Sequence, residues 1–144
     1  MARRTHILIA EDEENDALLM QMAVQKAGLR HTISIVRDGQ QAVDYLSGAP
    51  PFNDRSQHPL PEIFLLDLKM PRLTGFDVLK WLTAHPELSE LPAIVISSSI
   101  DVSDMEKARD LGAADYYFKP TRFADLVKLI ADIQESWLNP AVPA

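Results

Sequence analysis

The 144-residue sequence contains no cysteine. It therefore has no disulfide framework, no thiolate zinc site and no cysteine nucleophile, which suits the reducing cytosol. Long apolar runs are absent as well. None approaches the ~18 residues of a membrane-spanning helix, and the initial stretch MARRTHILIA is too short in apolar residues for a signal peptide. We expect a cytoplasmic protein without a membrane segment.

Positive charge is scarce in this chain. There are 14 Lys and Arg against 21 Asp and Glu, which gives a net charge of −7, and the basic residues form no stripe beyond Arg3 and Arg4. Nucleic-acid binding normally needs a basic surface, so we expect no nucleic-acid partner. The four histidines show no metal-ligand spacing, which argues against a zinc site.

The remaining composition is that of an ordinary globular protein, with 47% apolar and 24% charged residues. A chain of this length fits one domain with one core. We predict a single domain over residues 1–144, with a folded core at about 5–138 and a flexible tail at 139–144.

Five apolar, strand-like runs alternate with segments of helical periodicity. The predicted strands are Thr5–Ala10, His31–Arg37, Glu62–Asp67, Leu91–Ser97 and Ala114–Phe118. Thr74 and Ser103 are the predicted N-caps of the third and fourth helices. Strands that alternate with helices pair in parallel through right-handed crossovers. The predicted fold is therefore a doubly wound α/β sandwich.

A proline-rich segment interrupts this alternation before the third strand. Residues 47–61 read SGAPPFNDRSQHPLP, with little apolar periodicity. Such composition predicts a surface loop that is at least partly ordered, and no domain boundary is needed.

Polar residues follow four of the five predicted strands. Their members are Glu11 and Asp12 after strand one, Asp67 at the end of strand three, Ser97 and Ser98 at strand four, and Lys119 after strand five. In open parallel sheets ligands bind beyond the carboxyl ends of the strands, so these groups are expected to converge. An aspartate in such a place can also be a plain turn residue or helix cap, but the combination favours a site.

Three carboxylates brought together repel one another unless a cation lies between them. Oxygen ligands without His or Cys predict Mg²⁺, for which Mn²⁺ could substitute. A metal, a lysine and a hydroxyl together suit a phosphoryl group. Asp67 would accept that group as an aspartyl-phosphate, and Lys119 and Ser97 would bind its oxygens.

Four motifs resemble those of one family. ILIAEDE, LLDLKMPRLTGFDVL, IVISSS and YYFKP are similar to the receiver domain of two-component response regulators, a likeness that runs from about Ile7 to Ile133. The resemblance implies a flavodoxin-like (βα)5 fold with strand order 2-1-3-4-5. It also implies a signalling module that acts by binding, is phosphorylated by a histidine kinase, and catalyses only its own phosphorylation and dephosphorylation.

The resemblance assigns roles around the acceptor. Asp67 corresponds to the phospho-acceptor, Asp12 to the direct metal carboxylate, and Lys69 to the residue whose backbone carbonyl completes the metal shell. Glu11 stands where receivers often have aspartate, and its longer side chain could contact the metal through water.

A second group of roles concerns switching and signal lifetime. The resemblance makes Ser97 the switch hydroxyl, Tyr116 its aromatic partner and Lys119 the phosphoryl-binding lysine. It implies a cis peptide at Lys119–Pro120, which proline allows at ~0.5–1 kcal/mol. The resemblance also implies that Lys69 and Ser99 tune the lifetime of the phosphoryl group, because they occupy the two positions that do so in the family.

Within the family, the chain is similar to single-domain receivers that partner phytochrome-type histidine kinases. The features in common are EDEENDALL, the proline-rich loop and no output domain. The loop at 47–61 and the last helix, with Trp137, are expected to serve partner binding or dimerisation, although Trp137 could equally cap the core. A second candidate surface comprises helix four, strand five and helix five, with Met105, Arg109, Tyr116 and Lys128.

Two other functions are compatible with a strand-end aspartate. A phosphatase of the haloacid dehalogenase type also uses a strand-end aspartate. The motif of that family is D-x-D, and here Lys69 occupies the position of the second acid. A phosphorelay intermediate, which passes its phosphoryl group to a histidine phosphotransfer protein, is not separated from a terminal switch by the sequence.

Overall fold

The computed structural model describes residues 5–28 and 31–138, so the predicted tail at 139–144 lies outside the described residues. Ten main elements alternate along the chain. They are β1 (Thr5–Ala10), α1 (Glu14–Ala27), β2 (His31–Val36), α2 (Gly39–Ser47), β3 (Ile63–Leu66), α3 (Gly75–Thr83), β4 (Ala93–Ser97), α4 (Val102–Asp110), β5 (Asp115–Phe118) and α5 (Phe123–Ile133). A 3-10 turn at Pro86–Leu88 precedes β4, and a π-helical turn at Gln134–Leu138 extends α5.

The five strands form one parallel sheet in the order β2-β1-β3-β4-β5. This confirms the predicted doubly wound, flavodoxin-like fold. Successive side chains of β1 enter different cores: Leu8 packs on one face of the sheet, while Ile7 and Ile9 pack on the other against α1 and α5. Every residue of β3 and β4 is buried. Helices on both faces explain why these strands are continuously apolar.

The helix caps were predicted with mixed success. Thr74 caps α3 as expected, because its hydroxyl accepts from the Asp77 amide at 3.2 Å and the Asp77 carboxylate accepts from the Thr74 amide at 3.0 Å. The prediction of Ser103 as the N-cap of α4 is wrong. Asp101 takes that place and accepts from the Ser103 amide at 3.0 Å and from its hydroxyl at 2.8 Å. The carboxylate thus occupies both Ser103 donors, and the helix starts earlier.

The proline-rich segment is tied to the end of α2. The Arg55 guanidinium donates to the carbonyls of Tyr45, Leu46 and His58 at 2.8, 3.0 and 3.2 Å. The last carbonyls of a helix lack regular intrahelical partners. The guanidinium supplies donors for two of them, of which the Tyr45 carbonyl also accepts from the Gly48 amide at 3.2 Å. The loop is therefore ordered by a side chain of its own.

No helix in the described part of the chain is long and apolar enough to cross a bilayer.

Candidate functional site at the carboxyl edge of the sheet

Three candidate residues stand one position beyond their strands, where backbone hydrogen bonds still hold them. The amides of Glu11, Asp67 and Lys119 donate to carbonyls of neighbouring strands at 3.0, 3.1 and 2.8 Å. Their backbones are thereby fixed, and their side chains meet at one edge of the sheet, as the strand-end pattern predicts.

The acids form a compact group of oxygen ligands. One carboxylate oxygen each from Glu11, Asp12 and Asp67 lies within 4.8 Å of the others, with Glu11 and Asp67 buried and Asp12 exposed. A set of hard oxygen donors with one side open to solvent fits a divalent cation that keeps some of its waters. The residues present therefore suit the predicted metal.

Burial dominates the electrostatics of the acceptor candidate. It raises the pKa of the Asp67 carboxyl above its ordinary value, and the negative charge of Asp12 adds to this. The Lys119 charge and the amides of Leu68 and Lys69 act in the opposite sense; the Leu68 amide donates to Asp67 Oδ1 at 2.8 Å. Burial likewise raises the pKa of Glu11 despite its hydrogen bond with Lys119. A cation at this position would offset the cost of both buried charges.

Lys119 is shared among three carboxylates. Its Nζ lies 2.7 Å from Glu11 Oε1, 3.3 Å from Asp16 Oδ2 and 3.8 Å from Asp67 Oδ2. Burial alone would lower the pKa of Lys119, but the hydrogen bond to Glu11 and the charges of Asp67, Glu11 and Asp16 raise it. The lysine is therefore a cation at neutral pH and stands beside the acceptor candidate.

Asp16 was missed by the sequence analysis. It lies in the first turn of α1, where an acid also interacts favourably with the helix dipole. A signal was present, because a helix that starts at Glu14 brings its first turn close to the end of β1.

The prediction of a cis peptide at Lys119–Pro120 is wrong for this structure. Over residues 5–28 and 31–138 the cis peptide bond is Pro50–Pro51. The two isomers of an X-Pro bond differ by only ~0.5–1 kcal/mol, so the surroundings decide between them and the dipeptide itself does not.

The candidate switch residues are linked through Ser99. The buried Ser97 hydroxyl accepts from the Ser99 amide at 3.1 Å, and the buried Tyr116 hydroxyl donates to the Ser99 carbonyl at 3.3 Å. The Ser99 hydroxyl donates to Asp104 Oδ2 at 2.6 Å and so ties this loop to α4. Hydrogen bonds of Ser99 thus connect Ser97, Tyr116 and α4.

A glycine permits the close approach behind the acceptor. The Gly75 amide donates to the Leu68 carbonyl at 2.9 Å. A Cβ at Gly75 would collide with the Asp67 carbonyl oxygen and would lie 2.8 Å from Leu68 Cα. The first turn of α3 therefore packs directly on the backbone that carries Asp67.

The model of the response regulator receiver domain matches residues 7–131. The chain belongs to this family. Two curated relatives of this receiver domain span most of its length. The probable methanogenesis regulatory protein FilR2 of Methanothrix harundinacea is 32% identical over 92% of this chain and 83% of its own length. Response regulator Rcp1 of Synechocystis is 30% identical over 92% of this chain and 88% of its own length.

Solved structures resemble the receiver domain more fully. The phosphorylated cyanobacterial phytochrome response regulator RcpA superposes with a TM-score of 0.87 at 29% identity, covering 99% of this chain and 100% of the other. The regulator RPA3017 in red light signalling of R. palustris superposes with a TM-score of 0.88 at 33% identity, covering 97% of this chain and 99% of the other. The Mn²⁺-bound form of Rcp1 superposes with a TM-score of 0.82 at 28% identity, covering 97% of this chain and 99% of the other. This chain is thus a two-component response regulator domain related to phytochrome response regulators.

The predicted output surface of the receiver domain is only partly exposed. Arg109 and Lys128 face solvent, Met105 is half-buried against the core, and Tyr116 is buried. Trp137 is 40% exposed, which disfavours the alternative that it caps the core.

Proposed function

We propose that this receiver domain accepts a phosphoryl group from the phosphohistidine of a sensor histidine kinase onto Asp67. It then signals through a conformational change that alters partner binding. The observation that carries this proposal is the placement of the Asp67 carboxylate. It has two further acids within 4.8 Å and the Lys119 ammonium 3.8 Å away.

The chemical step is a displacement at phosphorus. An Asp67 carboxylate oxygen attacks the phosphorus atom, the P–N bond breaks, and the imidazole leaves with the electron pair and takes a proton. Lys119 would donate to a phosphoryl oxygen and so neutralise charge that the transfer develops. Because little covalent chemistry is required of the protein, positioning of these groups accounts for most of the catalysis.

The proposed metal is Mg²⁺, with Mn²⁺ as a substitute. Asp12, Asp67 and the backbone carbonyl of Lys69 would hold it, with Glu11 reaching it through water. When bound, the cation neutralises the acids and the phosphoryl oxygens. The oxygen-only ligand set supports this assignment, as does the Mn²⁺-bound form of Rcp1.

The proposed switch starts at Ser97. Its oxygen already accepts from the Ser99 amide, so the hydroxyl hydrogen is the part available to a new phosphoryl oxygen. A shift of Ser97 toward Asp67 would pull on the Ser99 backbone that Tyr116 contacts. The affected surface includes α4, β5 and α5, where Val102 and Phe118 are exposed, and Ile100 is exposed in the loop that leads into α4. We propose this surface, or the last helix with Trp137, for partner binding or dimerisation.

A phytochrome-like sensor kinase is the proposed phosphoryl donor. The support is the similarity to RcpA and RPA3017 over nearly the whole chain. In this role the domain acts by binding and catalyses only its own phosphorylation and dephosphorylation. Lys69 and Ser99 would tune the lifetime of the phosphoryl group.

The first experiment measures intact mass after incubation with acetyl phosphate and Mg²⁺. One phosphoryl addition of about 80 Da is expected on the wild type, and none on Asp67→Asn or in excess EDTA. Asp125→Asn, which removes an exposed acid from α5, is the matched control and should be phosphorylated normally. If the wild type neither gains mass nor binds beryllofluoride with Mg²⁺, the phosphorylation proposal is overturned.

The donor and the fate of the phosphoryl group need a second experiment. Radiolabelled phosphoryl transfer from an autophosphorylated phytochrome-type kinase of the same genome should label wild type within minutes, at a rate well above that from an unrelated kinase. A subsequent incubation with histidine phosphotransfer proteins separates the two remaining functions. Loss of label to such a protein would favour the phosphorelay intermediate, and retention favours the terminal switch.

A further inference from the structure

Asp16 does not belong to the predicted acids Glu11 and Asp12, yet its carboxylate contacts Lys119. We propose that Asp16 is a positioning residue that competes with the phosphoryl group for the Lys119 ammonium and thereby lowers the affinity of the site for that group. The inference rests on the proposed function, because it concerns the phosphoryl group that Asp67 would carry.

The geometry of Lys119 carries the proposal. Its ammonium hydrogen-bonds to Glu11 at 2.7 Å and to Asp16 at 3.3 Å, whereas Asp67, at 3.8 Å, makes only an ion pair. An ammonium has three N–H donors. Two of them are thus directed at carboxylates other than the acceptor.

The two hydrogen-bonded carboxylates differ in their freedom to release the lysine. The Glu11 side chain is 4% exposed, so a charge there needs the lysine or a metal beside it. The Asp16 side chain is 39% exposed, and water can replace the lysine at its oxygens. Asp16 is therefore the contact that Lys119 can give up when a phosphoryl oxygen competes for it.

This exchange couples Asp16 to the occupancy of the acceptor. The bond from Asp16 to Lys119 belongs to the empty arrangement, while the bond from Lys119 to a phosphoryl oxygen belongs to the loaded one. A contact made only in the empty arrangement lowers the affinity for the phosphoryl group by the free energy of that contact. Partly exposed ion pairs of this kind correspond to about a two- to fivefold change in an equilibrium constant.

Beryllofluoride with Mg²⁺ is the probe, because it stands in for the phosphoryl group and its binding is an equilibrium. Calorimetric titration of the full chain should give about two- to fivefold tighter binding to Asp16→Ala than to wild type. Asp16→Asn, which keeps a neutral acceptor, should fall between them, and Asp16→Glu should return close to wild type. Two different replacements also guard against a variant that folds poorly.

Glu14→Ala is the matched control. It removes the same charge from the same helical turn, its side chain is exposed, and Lys119 makes its ion pairs with Glu11, Asp16 and Asp67 instead. Its affinity should stay at the wild-type value. Equal tightening in Glu14→Ala and Asp16→Ala would mean that Asp16 acts only as a nearby negative charge, and would overturn the proposal.

A double-mutant cycle tests whether the effect passes through the lysine. In a Lys119→Gln background the tightening caused by Asp16→Ala should disappear, because the contact is already lost. Persistence of the full effect in that background would overturn the proposal, as would unchanged affinity of Asp16→Ala. A wild type that neither binds beryllofluoride nor gains mass from acetyl phosphate would overturn the proposed function as well. That result is distinguishable from a wild type that binds normally beside an unaffected Asp16→Ala.

Discussion

The Lys119 ammonium is 2.7 Å from the Glu11 carboxylate, about an ångström closer than to the Asp67 carboxylate at 3.8 Å. The Glu11 carboxylate is thus already paired with the lysine. Of the three acids, Asp12 is the exposed one and Asp67 is the acceptor candidate. We therefore expect Asp12 to be the direct metal ligand whose loss weakens metal binding most.

Removal of the Asp12 charge should abolish stabilisation by Mg²⁺. A ligand that binds only the folded chain stabilises it by about 2.7 kcal/mol at a hundred times its dissociation constant, so thermal unfolding of wild type should shift upward by several degrees as Mg²⁺ is added. Asp12→Asn should show little shift, whereas Asp125→Asn should respond like wild type. A full response in Asp12→Asn would place the metal elsewhere.

Gly75→Ala should destabilise the fold and disturb the acceptor. The new Cβ would collide with the Asp67 carbonyl oxygen, and backbone cannot move aside as a flexible side chain can. Overpacking of this kind costs about 1–3 kcal/mol of unfolding free energy, measurable by urea denaturation. Lys80→Ala, at an exposed position of the same helix, should change it by less than about 0.5 kcal/mol. Wild-type stability in Gly75→Ala would show that α3 can shift without cost.

Stability should fall in mild acid because of His6. Its ring nitrogens lie within hydrogen-bonding distance of the hydroxyls of Thr32 at 2.7 Å, Ser34 at 2.9 Å and Tyr45 at 3.1 Å. Burial lowers the pKa of His6, an effect that the charge of Glu62 opposes and that of His58 assists.

The sign follows from proton linkage. A histidine whose pKa is depressed in the folded state favours folding while neutral, so its contribution is present above the unfolded value of about 6.5 and is lost as the pH falls below it toward the folded value. The unfolding free energy of wild type, measured from about pH 7.5 to about pH 5.5, should therefore decline more steeply than that of His6→Gln. Parallel slopes in wild type and His6→Gln would refute the assignment.

Arg55→Ala should loosen the proline-rich loop. The guanidinium satisfies three backbone carbonyls, two of them at the end of α2. The Tyr45 carbonyl keeps the Gly48 amide at 3.2 Å, so the loss falls on the Leu46 and His58 carbonyls. Leaving partly buried acceptors unpaired costs about 1–3 kcal/mol, and amides of residues 48–62 should lose protection from hydrogen exchange. Arg55→Lys should rescue little, because a lysine lacks the planar fork. Gln57→Ala, an exposed change in the same loop, should leave both quantities unaltered.

The alternation of short apolar runs with helical periodicity was enough to predict the α/β class. The reason is local. The burial of a strand and the polar residue at its end are both visible in the order of apolar and polar residues along that segment. Thr74 was predictable for the same reason, since its cap involves only residues three positions apart. Strand order came from the family resemblance, because periodicity within a strand carries no record of its neighbours.

The candidate site was likewise predictable in part from local sequence. By themselves, the residues at the strand ends determined that Glu11, Asp12, Asp67 and Lys119 would meet, since parallel strands bring their carboxyl ends to one edge. Only the tertiary structure decided how Lys119 divides its hydrogen bonds, that Asp16 shares them, that Tyr116 is buried, and that Lys119–Pro120 is trans. These outcomes depend on distances between elements far apart in the chain and on free-energy differences of about 1 kcal/mol, which local sequence does not encode.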